Sequence, residues 1–203
     1  SHPVMSDDPQ FAPFGGYWFL TGLSKEGQLI PRPLAPMNPL AMLNDKEDKA
    51  TVNRVIGNVK FDYQLPFLTG LRANLNLAYD YASSNGTIFI PTHSMLSYTN
   101  QEVGKGGLDN ISKQEKINKL LDFYLNYRTE VASIKSTFDL MAGYSYQDWL
   151  TKVYNYPDKT AGGIEYNKPV FDTDLPRNTL LSFYGRFNYA LMGRYLFTAT
   201  VRA

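Results

Sequence analysis

The chain has 203 residues, a formal net charge of +1 and no cysteine. Near-neutral charge excludes a broad electrostatic pull toward nucleic acid or an anionic surface. The missing thiols exclude disulfides, thiolate metal sites and thiol catalysis.

Aromatic content narrows the class further. There are 15 tyrosines and 12 phenylalanines against 2 tryptophans, a usage that favours strands over helices. No apolar run is long enough for a transmembrane helix, which needs about 18 residues. A membrane strand is not excluded, because it needs only about 9–11 residues and half of them can be polar. The chain opens on Ser1-His2-Pro3 without an initiator methionine or a basic-then-apolar leader, and it stops inside an amphipathic run. Both features lead us to expect a piece of a longer chain.

Residues 1–49 read as loop. Pro3, Pro9, Pro13, Pro31, Pro33, Pro36 and Pro39 fall here, and proline blocks both ladder and helix. Within this stretch Phe14–Leu20 (FGGYWFL) is an aromatic cluster. It reads either as a loop packing its own rings or as a stacking platform for a sugar or another ligand. Tyr17, Trp18 and Phe19 are its candidate contacts. Asn38–Leu43 (NPLAML) then leads into a charged turn over Asn44–Lys49.

From residue 50 onward the chain reads as three hairpins, over 55–81, 117–146 and 181–203. Val55, Gly57, Val59, Phe61, Tyr63 and Leu65 share one face, with Arg54, Asn58, Lys60, Asp62 and Gln64 opposite, interrupted by Ile56. After a short connection, Pro66–Gly70, the run Leu71, Ala73, Leu75, Leu77, Tyr79, Tyr81 alternates with Arg72, Asn74, Asn76 and Asp80. Period-two alternation of this kind is a strand with one apolar face.

Residues 82–116 read as a long polar connection. A structureless loop of that size is uncommon in a compact domain. Its glycines around Lys105 lack the spacing and the strand–helix context of a phosphate cradle. Asn85-Gly86-Thr87 and Asn110-Ile111-Ser112 match the glycosylation pattern only as short strings.

Residues 112–128 fit two periods. Ser112 and Glu115 would make a capping box ahead of a helix. Ile117, Leu121, Phe123, Leu125 and Tyr127 equally alternate as a strand with Lys119 at its rim. The strand is preferred because a partner follows at once. Phe138, Leu140, Ala142, Tyr144 and Tyr146 lie on one face, with Lys135, Thr137, Asp139, Ser145 and Gln147 on the other, and the turn falls near Thr129–Ser133. Trp149–Asn178 reads as a second long, aromatic loop, with Trp149 and Tyr154 as candidate contacts. The last hairpin alternates Leu181, Phe183, Gly185, Phe187, Tyr189 and Leu191 with Ser182, Tyr184, Arg186 and Asn188. It turns at Met192-Gly193-Arg194 and returns through Tyr195, Phe197, Ala199 and Val201.

The expected fold is all-β, an antiparallel up-and-down meander of about six long strands. Two solvents could produce the pattern. In a soluble sandwich the apolar face packs on a second sheet; in an outer-membrane barrel it meets lipid and the polar face lines the interior. Strand length favours the barrel, as do short turns at one end and long loops at the other. Tyrosines near the strand ends (Tyr63, Tyr127, Tyr189, Tyr195 and Tyr79, Tyr81, Tyr144, Tyr146) favour it too, because such rings form girdles at both interfaces.

Ser182–Ala203 (SFYGRFNYALMGRYLFTATVRA) resembles a barrel hairpin of the SusC/RagA-type TonB-dependent outer-membrane transporters. Asn38–Leu43, Lys119–Tyr127 (KLLDFYLNY) and Asp139–Gln147 (DLMAGYSYQ) resemble other barrel segments of that family in a compatible order. The resemblance implies a section of a large transmembrane barrel of about 22 strands in the outer membrane of a Gram-negative bacterium. It also implies an internal plug, energy through the TonB complex, a SusD-like surface lipoprotein, outer-membrane lipid around the wall, and import of glycans or peptides. The net charge of +1 gives no reason to expect a nucleic-acid partner, and no cofactor is expected.

The alternative is a soluble β-sheet domain binding carbohydrate or protein. Catalysis is not expected, since only His2 and His93 could supply imidazole and no carboxylate pair, nucleophile motif or metal cluster stands out.

Overall fold

A computed structural model of the chain describes residues 4–23, 27, 29–32, 34–97 and 106–203. The opening Ser1-His2-Pro3, Pro33, Gly104 and Lys105 lie outside the described residues. The chain divides into two compact units.

The first unit comprises residues 1–52, 84–114 and 153–174. Expected as loop, its N-terminal part instead contains short regular elements. A 3-10 turn runs over Pro9–Phe14, strands β1 (Thr21–Leu23) and β2 (Leu29–Pro31) form a small antiparallel ladder, and helix α1 spans Pro39–Asn44. The prolines that argue against regular structure begin two of these elements, since a first-turn proline lacks only a donor that is unpaired anyway. Asn38 holds the segment together. Its Oδ1 accepts from the backbone N–H of Leu40 (2.9 Å) and Ala41 (3.2 Å), capping α1. Its Nδ2 donates to the carbonyls of Val4 (2.7 Å) and Trp18 (2.8 Å). Phe11, Phe19, Ala41 and Met95 are buried around this point, with Phe14, Tyr17, Trp18, Leu29 and Leu96 packed against them.

The long strands are β3 (Glu47–Gln64), β4 (Leu71–Ile90), β5 (Leu108–Val131), β6 (Ser136–Tyr154), β10 (Arg177–Leu191) and β11 (Tyr195–Arg202). Between β6 and β10 lie three two-residue strands. β7 (Asp158–Lys159) pairs with β8 (Glu165–Tyr166), and β9 (Thr173–Asp174) pairs with β6. The sheet order is β11-β10-β6-β5-β4-β3, so each long strand lies beside the next long strand in sequence. This is the expected meander. Residues 112–128 are strand, within β5, and no helix follows Ser112.

Strand ends differ from the sequence reading. β4 continues past Tyr81 to Ile90 and β5 begins at Leu108, so the connection between them is 91–107. β6 continues to Tyr154 and β10 begins at Arg177. A ladder needs backbone groups, not an apolar face, and it persists where both faces have become polar. The charged turn expected at Asn44–Lys49 is the end of α1 and the start of β3. Asn110 is not a free sequon: its amide donates to Asp158 Oδ1 (2.6 Å) and accepts from the Lys159 N–H (2.8 Å).

The second unit comprises residues 53–83, 115–152 and 175–203. Its hairpins close in tight turns. In the last, Met192 and Gly193 both have positive φ, 51° and 64°, and the Arg194 N–H donates to the Leu191 carbonyl at 3.0 Å. Positive φ at two successive positions matches the right-handed twist of the flanking strands.

Candidate functional site

The sheet of the second unit presents two faces of different chemistry, and the contrast is its main functional feature. One face is apolar. Tyr146 pairs with Leu181, Tyr144 with Phe183, Ala142 with Gly185, Leu140 with Phe187 and Phe138 with Tyr189. The rings interlock in the plane of the sheet: Tyr144–Phe183 centroids lie 5.3 Å apart, Phe138–Tyr189 4.9 Å and Phe187–Phe197 6.1 Å. No second layer covers these residues among those described. Val55, Phe61, Phe183 and Phe197 are each more than half exposed, and Leu75 and Phe187 are half-buried.

This apolar band has a sharp upper edge. Beyond Tyr146 and Leu181 the next pair on the same face is Asp148 with Thr179. Arg177 grips Asp148 with Nε (2.7 Å) and Nη2 (3.0 Å), and the Thr179 hydroxyl donates to it at 3.0 Å. The Asp148 carboxylate is buried beneath these partners. From Leu181 to Tyr189 the band spans eight residue-to-residue steps, and from Thr179 to Leu191 twelve. At about 3.4 Å per residue and a tilt near 40°, these bracket a height of roughly 21–31 Å. A barrel's lipid-facing band is about 25 Å tall.

The other face is a lattice of polar pairs. Arg54 chelates Asp80 (2.8 and 2.9 Å), Asn58 donates to Asn76 (2.6 Å), and Arg72 chelates Asp62 (3.1 and 2.8 Å). Asn118 extends the first pair by donating to Asp80 (3.1 Å), and Asn126 donates to Asp139 (2.8 Å). The Tyr184 hydroxyl reaches past β6 to Asp122 at 2.7 Å. Gly143 makes that reach possible. A Cβ there would lie 2.5 Å from the Tyr184 ring and 2.7 Å from Tyr124 Cβ. Asn76, Asp122, Ser145, Tyr184, Thr200 and Arg202 line a shallow concavity of about 400 Å³ on this face.

The structure separates the sequence-predicted contact residues. Phe19 is buried in the core of the first unit, so its ring holds the loop rather than facing a ligand. Tyr17 is half-buried and its hydroxyl accepts from Asn44 Nδ2 (3.1 Å). Trp18 packs on the same cluster. Tyr154 ends β6 with the Lys113 ammonium 4.5 Å above its ring. Trp149 is not in a loop; it sits inside β6 opposite Asn178. Trp149 is 38% exposed and joins Asp80, Asn118, Leu120 and Gln147 around a second concavity on the polar face. The exposed His93 lies in the 91–107 connection. Sequence reasoning missed Asp148, Arg177 and Gly143, and only the break in alternation at Asp148-Trp149 could have signalled the rim.

Among the described residues no helix is long and apolar enough to cross a membrane, a fact that does not bear on crossing by strands. No family model matches the chain. It is 33% identical to the TonB-dependent receptor SusC of Bacteroides thetaiotaomicron over 214 aligned residues, covering 100% of this chain and 20% of that receptor. It is 28% identical over 194 residues to a TonB-dependent receptor of Formosa agariphila, covering 87% of this chain and 17% of the relative. The chain therefore spans about a fifth of the length of the curated relatives it matches. Its fold matches the solved RagAB peptide transporter with a TM-score of 0.68 at 13% identity, over 88% of this chain and 21% of that one. A second RagAB structure, of the peptide importer in its 'open-open' state, gives 0.66 at 14% identity. Similarity to SusC along the whole chain and a sheet shared with RagAB make this chain a section of barrel wall belonging to the SusC/RagA-type TonB-dependent receptors.

Proposed function

We propose that this chain forms part of the wall of an outer-membrane barrel that imports glycans or peptides, with its apolar face toward lipid and its polar face toward the lumen. The observation that carries the reading is the uncovered apolar band, bounded by the Asp148–Arg177–Thr179 cluster and backed by a lattice of paired polar groups. A soluble sandwich would need a second layer on that band. In the barrel reading, wall and substrate path are two sides of one sheet, and no catalytic step is assigned to it.

The same reading gives the parent protein a plug, an energy supply through the TonB complex and a SusD-like surface lipoprotein. The RagAB structures are those of a peptide importer and a peptide transporter, which supports transport without fixing the cargo here. Tyr17, Trp18 and Tyr154 are proposed to lie on the cell-surface side and to contact substrate or the lipoprotein. Replacing all three with alanine in the parent should then reduce uptake or partner binding.

Reagent accessibility tests the orientation. The chain has no cysteine, so single cysteines can be placed in a cysteine-free parent. Phe61→Cys and Phe183→Cys should resist a water-soluble maleimide in intact outer membranes and react with a lipid-soluble one. Asp62→Cys and Tyr184→Cys should show the reverse order. A parent recovered in the soluble fraction, or equal water access on both faces, would overturn the proposal.

A further inference from the structure

Depth on one face of a single sheet fixes depth on the other. Asp148 marks the upper edge of the apolar band, and Trp149, the next residue of β6, points to the opposite face at the same level. In the barrel reading, on which this inference rests, Trp149 therefore stands on the inner wall at the outer mouth. The rows nearer the short turns carry Asn76, Asp122, Ser145 and Arg72 on this face, and the ring among them, Tyr184, is held through its hydroxyl by Asp122.

The surroundings of Trp149 have a specific character. Leu120 and Ile56 supply an apolar floor, and Asp80, Asn118 and Gln147 supply the polar rim of a concavity of about 270 Å³. Two charged residues line it. Asp80 accepts two bonds from Arg54 and a third from Asn118. Lys119 lies between Asn118 and Leu120 on β5, so alternation turns its side chain to the other face, where its charge acts on Asp148. The Gln147 side-chain amide, by contrast, makes no hydrogen bond to a described residue, so both its donor and its acceptor are available.

We infer that the Trp149 concavity is a subsite for a neutral saccharide ring. The indole face, which carries the negative lobe of the ring quadrupole, takes the polarised C–H face of a pyranose. Gln147 and the free lone pairs of Asp80 and Asn118 take its hydroxyls. Saccharide hydroxyls donate and accept, as an amide does, and need no formal charge to be bound. A peptide offers charged ends that find no partner in this concavity, so it is the less suitable occupant.

The test uses the full-length parent, purified from outer membranes with its surface lipoprotein. Maltohexaose, cellohexaose, xylohexaose and mannohexaose are titrated calorimetrically, alongside a tryptic digest of casein. At least one hexasaccharide should bind. Trp149→Ala should weaken that binding by roughly tenfold or more, the scale of stacking on an aromatic platform. Trp149→Phe should stay within about threefold of the parent, and Gln147→Ala should lie between the two, a graded series expected of stacking and hydrogen bonding at a preformed site. Gln147→Ala and Trp149→Phe keep the test decisive if Trp149→Ala fails to insert.

Binding that ignores Trp149 and Gln147 overturns the inference. So does binding of the peptide digest without any hexasaccharide, and so does binding of neither. A parent absent from the outer membrane strikes the transporter reading first. A membrane-inserted parent whose saccharide affinity is indifferent to Trp149 strikes only the subsite.

Discussion

Phe183→Arg offers the sharpest energetic test of which face meets lipid. Phe183 lies four residues below Thr179 on β10, on the face it shares with Tyr144 and Phe187. On the proposed orientation, at about 3.4 Å per residue and a tilt near 40°, its side chain would meet lipid about 10 Å below the rim, close to the midplane of a band about 25 Å tall. Arginine at the midplane of a barrel's outer face costs about 2–4 kcal/mol, falling to about 0–1 kcal/mol near the interface. Leu181→Arg, about 5 Å below the rim by the same arithmetic, should therefore cost roughly 1–2 kcal/mol less than Phe183→Arg. Part of the Phe183 penalty is its ring contact with Tyr144, worth about 0.5–1.5 kcal/mol. Phe183→Leu measures that part separately. The assay is guanidinium unfolding of the parent barrel in lipid bilayers, read as reversible insertion. Equal costs for Arg at positions 181 and 183, or no cost beyond that of Phe183→Leu, would refute the depth assignment. A soluble sheet with a water-exposed face would give that flat profile.

Gly143→Leu should force Tyr184 away from Asp122, because even a Cβ at 143 would come within 2.5 Å of the phenol ring. A destabilisation of about 1–3 kcal/mol is expected, with the Tyr184 hydroxyl newly accessible in a hydrogen-exchange or crystallographic comparison. Asn38→Ala removes one cap and two carbonyl partners together. Limited proteolysis should open the segment around Phe11–Leu43 at a cost of about 1–3 kcal/mol to its local stability. Lys159, and after it Lys168, hold the Glu165 carboxyl below its ordinary value. A depressed folded-state value gives stability that is present above the unfolded carboxylate range and is lost as pH falls through the folded value. Amide exchange of the β7–β8 ladder should therefore accelerate below about pH 4, and Lys159→Met should weaken that dependence.

Legibility in the sequence tracked the constancy of the environment along each strand. Val55 to Leu65, Leu71 to Tyr81 and Leu181 to Leu191 alternate because each face meets one solvent throughout, and the structure has strands there. Above Tyr81 the residues Ser83, Ser84, Asn85 and Gly86 are polar on both faces, so nothing in the pattern distinguishes strand from loop. The ladder nevertheless runs on to Ile90. At Asp148-Trp149 the alternation inverts, with a carboxylate on the apolar face and an indole on the polar one, and that inversion read as the end of the strand. The N-terminal segment was opaque for another reason. Its order comes from one asparagine bonding to Val4, Trp18, Leu40 and Ala41, a convergence with no periodic trace. Phe19 illustrates the same limit, since an aromatic cluster in sequence does not reveal which ring is buried.

The Tyr184–Asp122 bond has a mechanical consequence. Neighbouring strands are stitched edge to edge by backbone hydrogen bonds, so circumferential tension on a sheet ordinarily falls on one seam at a time. Tyr184 stands on β10 and Asp122 on β5, with β6 between them. The phenol therefore bridges two seams at once, seated in the space that Gly143 leaves open. A load that loosens the β5–β6 or the β6–β10 seam must also stretch this tie, which makes the strip around Gly143 a reinforced part of the wall.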